Sequence, residues 1–263
     1  MHFSSSQPSW VVAIKRLKGK NMKIPSILEM LQSGVHFGHQ VSRWHPKMKP
    51  FIFTERNGVH VIDLEKTQVK LKEVAEIVKK MAAEGKIILF ATTKPQAKEI
   101  VRQAAVSCSM PYLVERWLGG MLTNFVEIKK LIKKYNILKQ EKESGELEKY
   151  TKKEQLEFTK QLERMERYLC GLSNLEKMPD VVFLPSFQKE KTAVLEADRM
   201  QVPVVAICDT NANPVKADYF IPGNDDAVNS IKLLVNVIAE AVKEGKEEFE
   251  KNKVAIASAV VVK

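Results

Sequence analysis

Three histidines lie close together, His36, His39 and His45, and His36-x-x-His39 has the spacing of two ligands on one metal ion. Zinc sites usually require further cysteine or carboxylate ligands at set spacing, and the neighbouring sequence supplies none. The same stretch carries Phe37, Arg43, Trp44, Lys47 and Lys49. Guanidinium planes and aromatic faces stack on unpaired bases, and ammonium groups meet phosphates. Polar anchoring or RNA contact is therefore the chemistry this loop fits best, with a packed core histidine as the plain alternative for His36.

Other residues stand where an enzyme would use them. Ala91-Thr92-Thr93-Lys94-Pro95 follows an apolar run and opens a helical pattern, the place where nucleotide-binding sheets cradle phosphate. It contains no glycine, and neither GxGxxG nor GxxxxGKS/T occurs there. Its amides and Lys94 retain only the ability to hold an isolated phosphate, an RNA phosphate included. Gly119-Gly120 permits close backbone approach. It serves either RNA contact through Arg116, Trp117 and Asn124 or a tight turn that launches a helix. Asp209-Thr210-Asn211 and Asn224-Asp225-Asp226 follow strand-like runs, but such residues also cap helices, and Asp225 fits a cap before Ala227. No Ser-His-Asp set or nucleophile elbow appears, so no catalytic, cofactor or metal residue is assigned.

Charge points the same way. The chain has 263 residues, 42 Lys and Arg against 32 Asp and Glu, and a formal net charge of +10. A folded domain that basic attracts polyanions, most commonly nucleic acid. Residues 1–50 hold eight of the cations and a single acid, Glu29, which reads as a contact surface. Cys108, Cys170 and Cys208 are widely spaced and odd in number, which fits a reducing compartment. No apolar run approaches the roughly 18–20 residues of a membrane span, and Trp10 to Ile14 is too short for a signal-peptide core. Residues 1–21 read as a basic extension or a start-site artefact, because Met22 precedes the first well-patterned segment.

The elements that must position these residues follow from periodicity. Ile24–Gln32 has helical spacing, with Pro25 near its start and Gly34 at its end. Phe51–Phe53 and Val59–Ile62 flank Asn57-Gly58, a hairpin signal. Helical patterns at 65–81, 95–106, 189–200 and 227–242 alternate with apolar runs at 87–90, 112–114, 181–184, 204–207 and 219–221. That alternation predicts an α/β fold of Rossmann or flavodoxin type, a parallel sheet with helices on both faces. Residues 124–175 contain no strand-like run. They hold two amphipathic helical patterns about Ser144-Gly145, an inserted antiparallel α-helical hairpin projecting from the sheet domain. The domain layout is thus 1–21 extension, 22–123 and 176–250 α/β sandwich, 124–175 hairpin and 251–263 tail.

Several motifs, taken together and in this order, resemble the bacterial-type small-subunit ribosomal protein two family. They are Leu31-Gln-Ser-Gly-Val-His-Phe-Gly-His39, Arg43-Trp-His-Pro-Lys-Met-Lys-Pro50, Glu55-Arg-Asn-Gly-Val-His-Val-Ile-Asp-Leu64, Arg116-Trp-Leu-Gly-Gly-Met-Leu-Thr-Asn-Phe125 and Pro203-Val-Val-Ala-Ile-Cys-Asp-Thr-Asn211. The resemblance covers about Ile24 to Glu250. It implies a non-enzymatic structural constituent of a cytoplasmic small ribosomal subunit, a sandwich domain with a coiled-coil hairpin, and assembly on small-subunit ribosomal RNA. It also implies a role in holding the large ribosomal protein one, with no membrane and no DNA involved. The sequence departs from the family pattern at Thr92 (usually glycine), Pro95 (lysine), Ser186 (aspartate) and His45 (asparagine), and it keeps Lys189-Glu190. The residues expected at RNA are Arg43, Trp44, Lys47, Lys49, Arg56, Arg116, Trp117 and Asn124. The competing readings are a nucleotide- or sugar-phosphate-using enzyme and a protein-docking module built on the hairpin.

Overall fold

A computed structural model describes residues 23–261. The expected basic extension at 1–21 lies outside the described residues. The chain opens with a short helix α1 (Ile27–Gln32), which starts three residues later than its apolar spacing suggested. Ser26 caps it: its hydroxyl accepts from Glu29 N while the Glu29 carboxylate accepts from Ser26 N. This capping box fixes the first turn and leaves Pro25 outside the helix.

A small antiparallel sheet follows, built of β1 (Phe37–Gln40), β2 (Ile52–Arg56) and β3 (Val59–Ile62) in the order β1-β3-β2. Asn57 and Gly58 join β2 to β3 with φ of 53° and 74°, the two positive angles of a tight hairpin turn. Between β1 and β2 the chain makes two 3₁₀ turns, Val41–Arg43 and Pro46–Phe51, and buries only Met48. Those turns carry the basic loop.

The main sheet has five parallel strands: β4 (Ile88–Ala91), β5 (Tyr112–Leu113), β6 (Val181–Leu184), β7 (Val204–Cys208) and β8 (Tyr219–Pro222), in spatial order β5-β4-β6-β7-β8. Side chains alternate across it, so each strand feeds two cores. Ile88, Phe90, Val181, Phe183, Val205, Ile207 and Ile221 face one core, with α2 (Leu64–Ala83), α3 (Pro95–Ser107) and α7 (Val228–Val261). Leu89, Ala91, Val182, Leu184, Val204, Ala206 and Cys208 face the other, with α4 (Phe125–Glu143), α5 (Lys152–Leu169) and α6 (Lys191–Met200). Burial on both faces explains why the inner three strands, β4, β6 and β7, read as unbroken apolar runs.

Helices α4 and α5 occupy the stretch without strands, and Gly145, in the left-handed region at φ 76°, turns the chain between them. Their buried Ile128, Ile132, Tyr135, Leu162 and Leu169 belong to the same apolar cluster as the second face of the sheet. The helix pair therefore shares the core at its base, where the sequence suggested only a projecting insertion. That base is closed by Gly171, just after α5, where a Cβ would lie 2.3 Å from the Tyr112 carbonyl oxygen.

Helix α7 begins at Val228 and its backbone stays helical to Val261, through the segment expected to separate as a tail after residue 250. It lies along α2, held by Lys79 Nζ between Glu244 (3.0 Å) and Glu248 (2.8 Å). Gly245 is the point of closest approach: a Cβ there would sit 2.2 Å from the Lys79 carbonyl oxygen and 2.7 Å from Ala82 Cβ. Among the described residues no helix is long and apolar enough to cross a membrane.

Gly245→Ala should force α7 off α2 and destabilise the protein by about 1–3 kcal/mol. Gly119→Ala, where a Cβ meets nothing within 4 Å, should stay within about 0.5 kcal/mol of the parent. Urea unfolding of both variants checks the pair, and equal midpoints would mean that α2 and α7 do not meet closely at Gly245.

Candidate nucleic-acid interface

The basic loop is a rigid object. Gly38 lies so close to Thr210 that a Cβ would come within 2.6 Å of its methyl. Thr210 Oγ1 accepts from His39 N (2.8 Å), and the Thr210 carbonyl accepts from His45 N (2.7 Å). His45 Nδ1 in turn accepts from Lys47 N at 3.2 Å and starts the second 3₁₀ turn. Met48, fully buried, anchors that turn in the second core. With the backbone pinned at three points, Arg43, Lys47 and Lys49 have only the solvent side left and are exposed. Trp44 is half-buried, its ring 5.3 Å from that of the buried His60. Arg56 is exposed at the end of β2.

Arg116 and Asn124 are exposed in a second loop, the one preceding α4. Trp117 departs from the expectation of RNA contact. Its ring is 7% exposed, and its indole N–H donates to Glu196 Oε1 at 3.0 Å, so it cannot stack on a base. Glu196, on α6, also accepts from Gly120 N (2.9 Å), Leu122 N (3.1 Å) and Thr123 N and Oγ1 (both 3.3 Å). Burial pushes the Glu196 carboxyl up, but these donors outweigh it and hold it below the usual glutamate range. Sequence spacing carried no signal for Glu196, because its partners lie 73 to 79 residues earlier in the chain.

The carboxyl ends of the parallel strands are where doubly wound sheets bind ligands. Here that rim is filled from within. Glu190, 3% exposed, places Oε1 2.5 Å from Thr93 N and 2.8 Å from Thr93 Oγ1. A carboxylate of the chain itself thus occupies the turn before α3 where a phosphate would sit. Lys94 turns the other way: its ammonium lies 2.8 Å from both Asp225 Oδ1 and Asp226 Oδ1 and donates to the Asp225 carbonyl at 2.7 Å. Neither group is free for an external phosphate, which corrects the expectation of a residual phosphate site at this turn. Burial opposes the charge on Lys94, but the two carboxylates outweigh it and raise its pKa. Burial, reinforced by the Asp209 charge, raises the Asp225 carboxyl, and Lys94 and Ser186 offset only part of that.

Asp225 is not the helix cap that its position suggested. Asn224 instead shapes the turn ahead of the helix, with Oδ1 accepting from Asp226 N and Ala227 N, while Asp225 points inward and accepts from Ser186 Oγ. His36 and His39 do not converge on one point either. His39 reaches Asp209 Oδ2 through Nδ1 (3.0 Å) and Asp226 Oδ2 through Nε2 (3.4 Å), and the hydrogen bond to Asp209 raises its pKa. His36 is lowered by burial. Ligand atoms of His39, Asp209, Asp225 and Asp226 all lie within 4.8 Å of one another, and these four are the residues among those described that could hold a cation. The Lys94 ammonium already stands against two of them.

Arg43, Lys47, Lys49, Arg56 and Arg116 form no salt bridge among the described residues, a condition they share with other exposed lysines such as Lys72, Lys133 and Lys216; what distinguishes the first three is the pinned loop that carries them.

Comparison with known proteins agrees with these motifs. A family profile described as "Ribosomal protein S2" matches residues 30–245. A relative from Bdellovibrio bacteriovorus, "Small ribosomal subunit protein uS2", is 48% identical over 222 residues, which cover 84% of this chain and 71% of the relative.

Lys94→Met removes the cation that faces a buried carboxylate and should destabilise the fold by about 3–5 kcal/mol. Adding Asp225→Asn to the same chain should recover most of that loss in urea unfolding. If the single variant stayed within about 1 kcal/mol of the parent, far less than breaking a buried pair costs, the rim would be held by something other than this ion pair.

Proposed function

The chain belongs to the ribosomal protein S2 family, and from that premise we propose that it is a structural constituent of the small ribosomal subunit that grips ribosomal RNA through the loop between β1 and β2. Proteins of this family are structural, and the chain is not an enzyme. One observation carries the RNA reading: Arg43, Lys47, Lys49, Arg56 and Arg116 are exposed cations without an internal partner, and the loop that bears the first three is pinned in place. Unpaired cations on a rigid frame meet phosphates without first breaking ion pairs or ordering the chain. Phosphate contacts supply affinity and salt dependence, and the half-buried Trp44 with Asn124 adds position.

The resemblance extends the proposal to partners and layout. Residues 22–123 and 176–250 form the α/β sandwich, 124–175 a coiled-coil hairpin and 1–21 a basic extension, and the C-terminal segment from 251 continues the last helix, in a protein of cytoplasmic ribosomes. Ile128, Ile132, Tyr135 and Leu138 on α4, buried at three- and four-residue spacing, support the coiled coil. Docking of the large ribosomal protein one beside the RNA contact completes the reading. A nucleotide-using enzyme would need the rim that Glu190 and Lys94 fill.

The test is co-sedimentation of the full chain with small subunits lacking it, across a salt series. Replacing Arg43, Lys47 and Lys49 together by Gln should weaken association and flatten the log–log salt slope by roughly 0.7–0.9 per lost phosphate contact. An unaltered slope would remove this loop from the interface, and saturable binding of a nucleotide by the free protein would favour the enzyme instead.

A further inference from the structure

Glu196 lies outside the family motifs, yet it organises one of them, the stretch from Arg116 to Phe125. Five donors converge on its two oxygens, four of them from residues 120–123 and the fifth from the indole of Trp117. No lysine or arginine takes part, so amide, hydroxyl and indole dipoles alone answer this 8%-exposed carboxylate. Within the same loop Met121 and Leu122 are buried, and Asn124 N donates to the Gly120 carbonyl at 2.8 Å. The clamped stretch runs from Trp117 to Thr123. Its two immediate neighbours are Arg116 and Asn124, both exposed and both without a salt bridge or side-chain hydrogen bond among the described residues.

From this arrangement we propose that Glu196 is a positioning residue for RNA: it fixes the spacing and direction of Arg116 and Asn124 so that the two engage one stretch of sugar-phosphate backbone. The inference rests on the RNA-binding reading above and adds a second, separately held contact to the loop of Arg43, Lys47 and Lys49. An anionic acceptor suits this task better than a neutral one. A carboxylate receives donors on both oxygens, whereas the amide group of a glutamine turns its own N–H atoms toward the Leu122 and Thr123 donors or toward those of Trp117 and Gly120. The clamp also needs no cation of its own, so it does not compete with RNA for Arg116.

The pH behaviour follows from the lowered carboxyl. Glu196 contributes stability that is complete above the ordinary glutamate value of 4.5 and is lost as pH falls through its lower folded value. The clamp is therefore ionised throughout neutral pH, and its effect on RNA association is flat there.

The experiment compares Glu196→Gln, Arg116→Gln and the double variant as full chains, in co-sedimentation with small subunits lacking the protein. Glu196→Gln should weaken association by at least about fivefold, because buried donors lose their acceptor. Its salt slope should flatten by roughly 0.7–0.9, the share of one phosphate contact. The double variant should be no weaker than the worse of the two singles, the non-additivity expected of groups that act as a unit. Thr123→Val, which removes one donor and is a milder change, should move affinity and slope the same way should Glu196→Gln fail to fold. A purely structural Glu196 would lower the unfolding midpoint, leave the slope alone and combine additively with Arg116→Gln, and that result overturns the proposal. If the parent chain itself does not associate with the subunit, the broader RNA reading falls. If the parent associates and Arg116→Gln has no effect, only the present inference does.

Discussion

A carboxylate taken out of water must be answered by opposite charge or by several donors, or folding fails by several kcal/mol. This protein places three carboxylates, Glu190, Asp209 and Asp225, at the carboxyl rim of its parallel sheet and buries all of them. The answering groups come from elsewhere: Lys94 from the start of α3, His39 from β1, Thr93 from the turn between β4 and α3. The rim is thus the knot that ties the small antiparallel sheet to the large parallel one. Loosening it loosens the basic loop, because His39 and its neighbour Gly38, together with His45, hold that loop against Thr210.

The same requirement accounts for what the fold has given up. The parallel strands run in the order of a flavodoxin-like sheet, and the crevice between β4 and β6 is the usual ligand seat. A phosphate-binding turn offers unfilled amides and a free lysine, and here both are committed to internal carboxylates. Filling the crevice with charge pairs converts a mobile, ligand-dependent edge into a fixed one. A fixed edge is of little use to a reaction cycle. It is what a docking surface needs, since loops held in their bound geometry lose little entropy on association.

Much of this was legible in the residues. Apolar runs marked the five parallel strands, of which the inner three are buried throughout, and Asn57-Gly58 marked the hairpin, since both signals are local. What escaped was set by partners far along the chain. Trp117 looked like a surface aromatic because nothing nearby in sequence reveals an acceptor for its N–H, yet Glu196 provides one 79 residues later. Asp225 looked like a cap because Asn224, Asp225 and Asp226 are equivalent as caps on paper; Lys94, 131 residues earlier, decides which of them turns inward. The apolar pattern at 227–242 stops short of the end of the last helix, where a Lys- and Glu-rich stretch with Gly245 follows. In the fold, Lys79 pairs with that charge, and α2 needs the glycine for its close approach.

The distribution of acids also explains how a protein with 32 of them presents so positive a loop. From Met30 to Thr54 the chain has none at all, and four of those present elsewhere, Glu190, Glu196, Asp209 and Asp225, are turned inward. At physiological ionic strength a charge is felt over roughly 8 Å, so acids spread over the remaining surface do little to cancel Arg43, Lys47 and Lys49. Sequestering some acids to build the frame and excluding others from the loop act together. The result is a local field stronger than the net charge of +10 alone would suggest, carried on backbone that the buried acids themselves hold still.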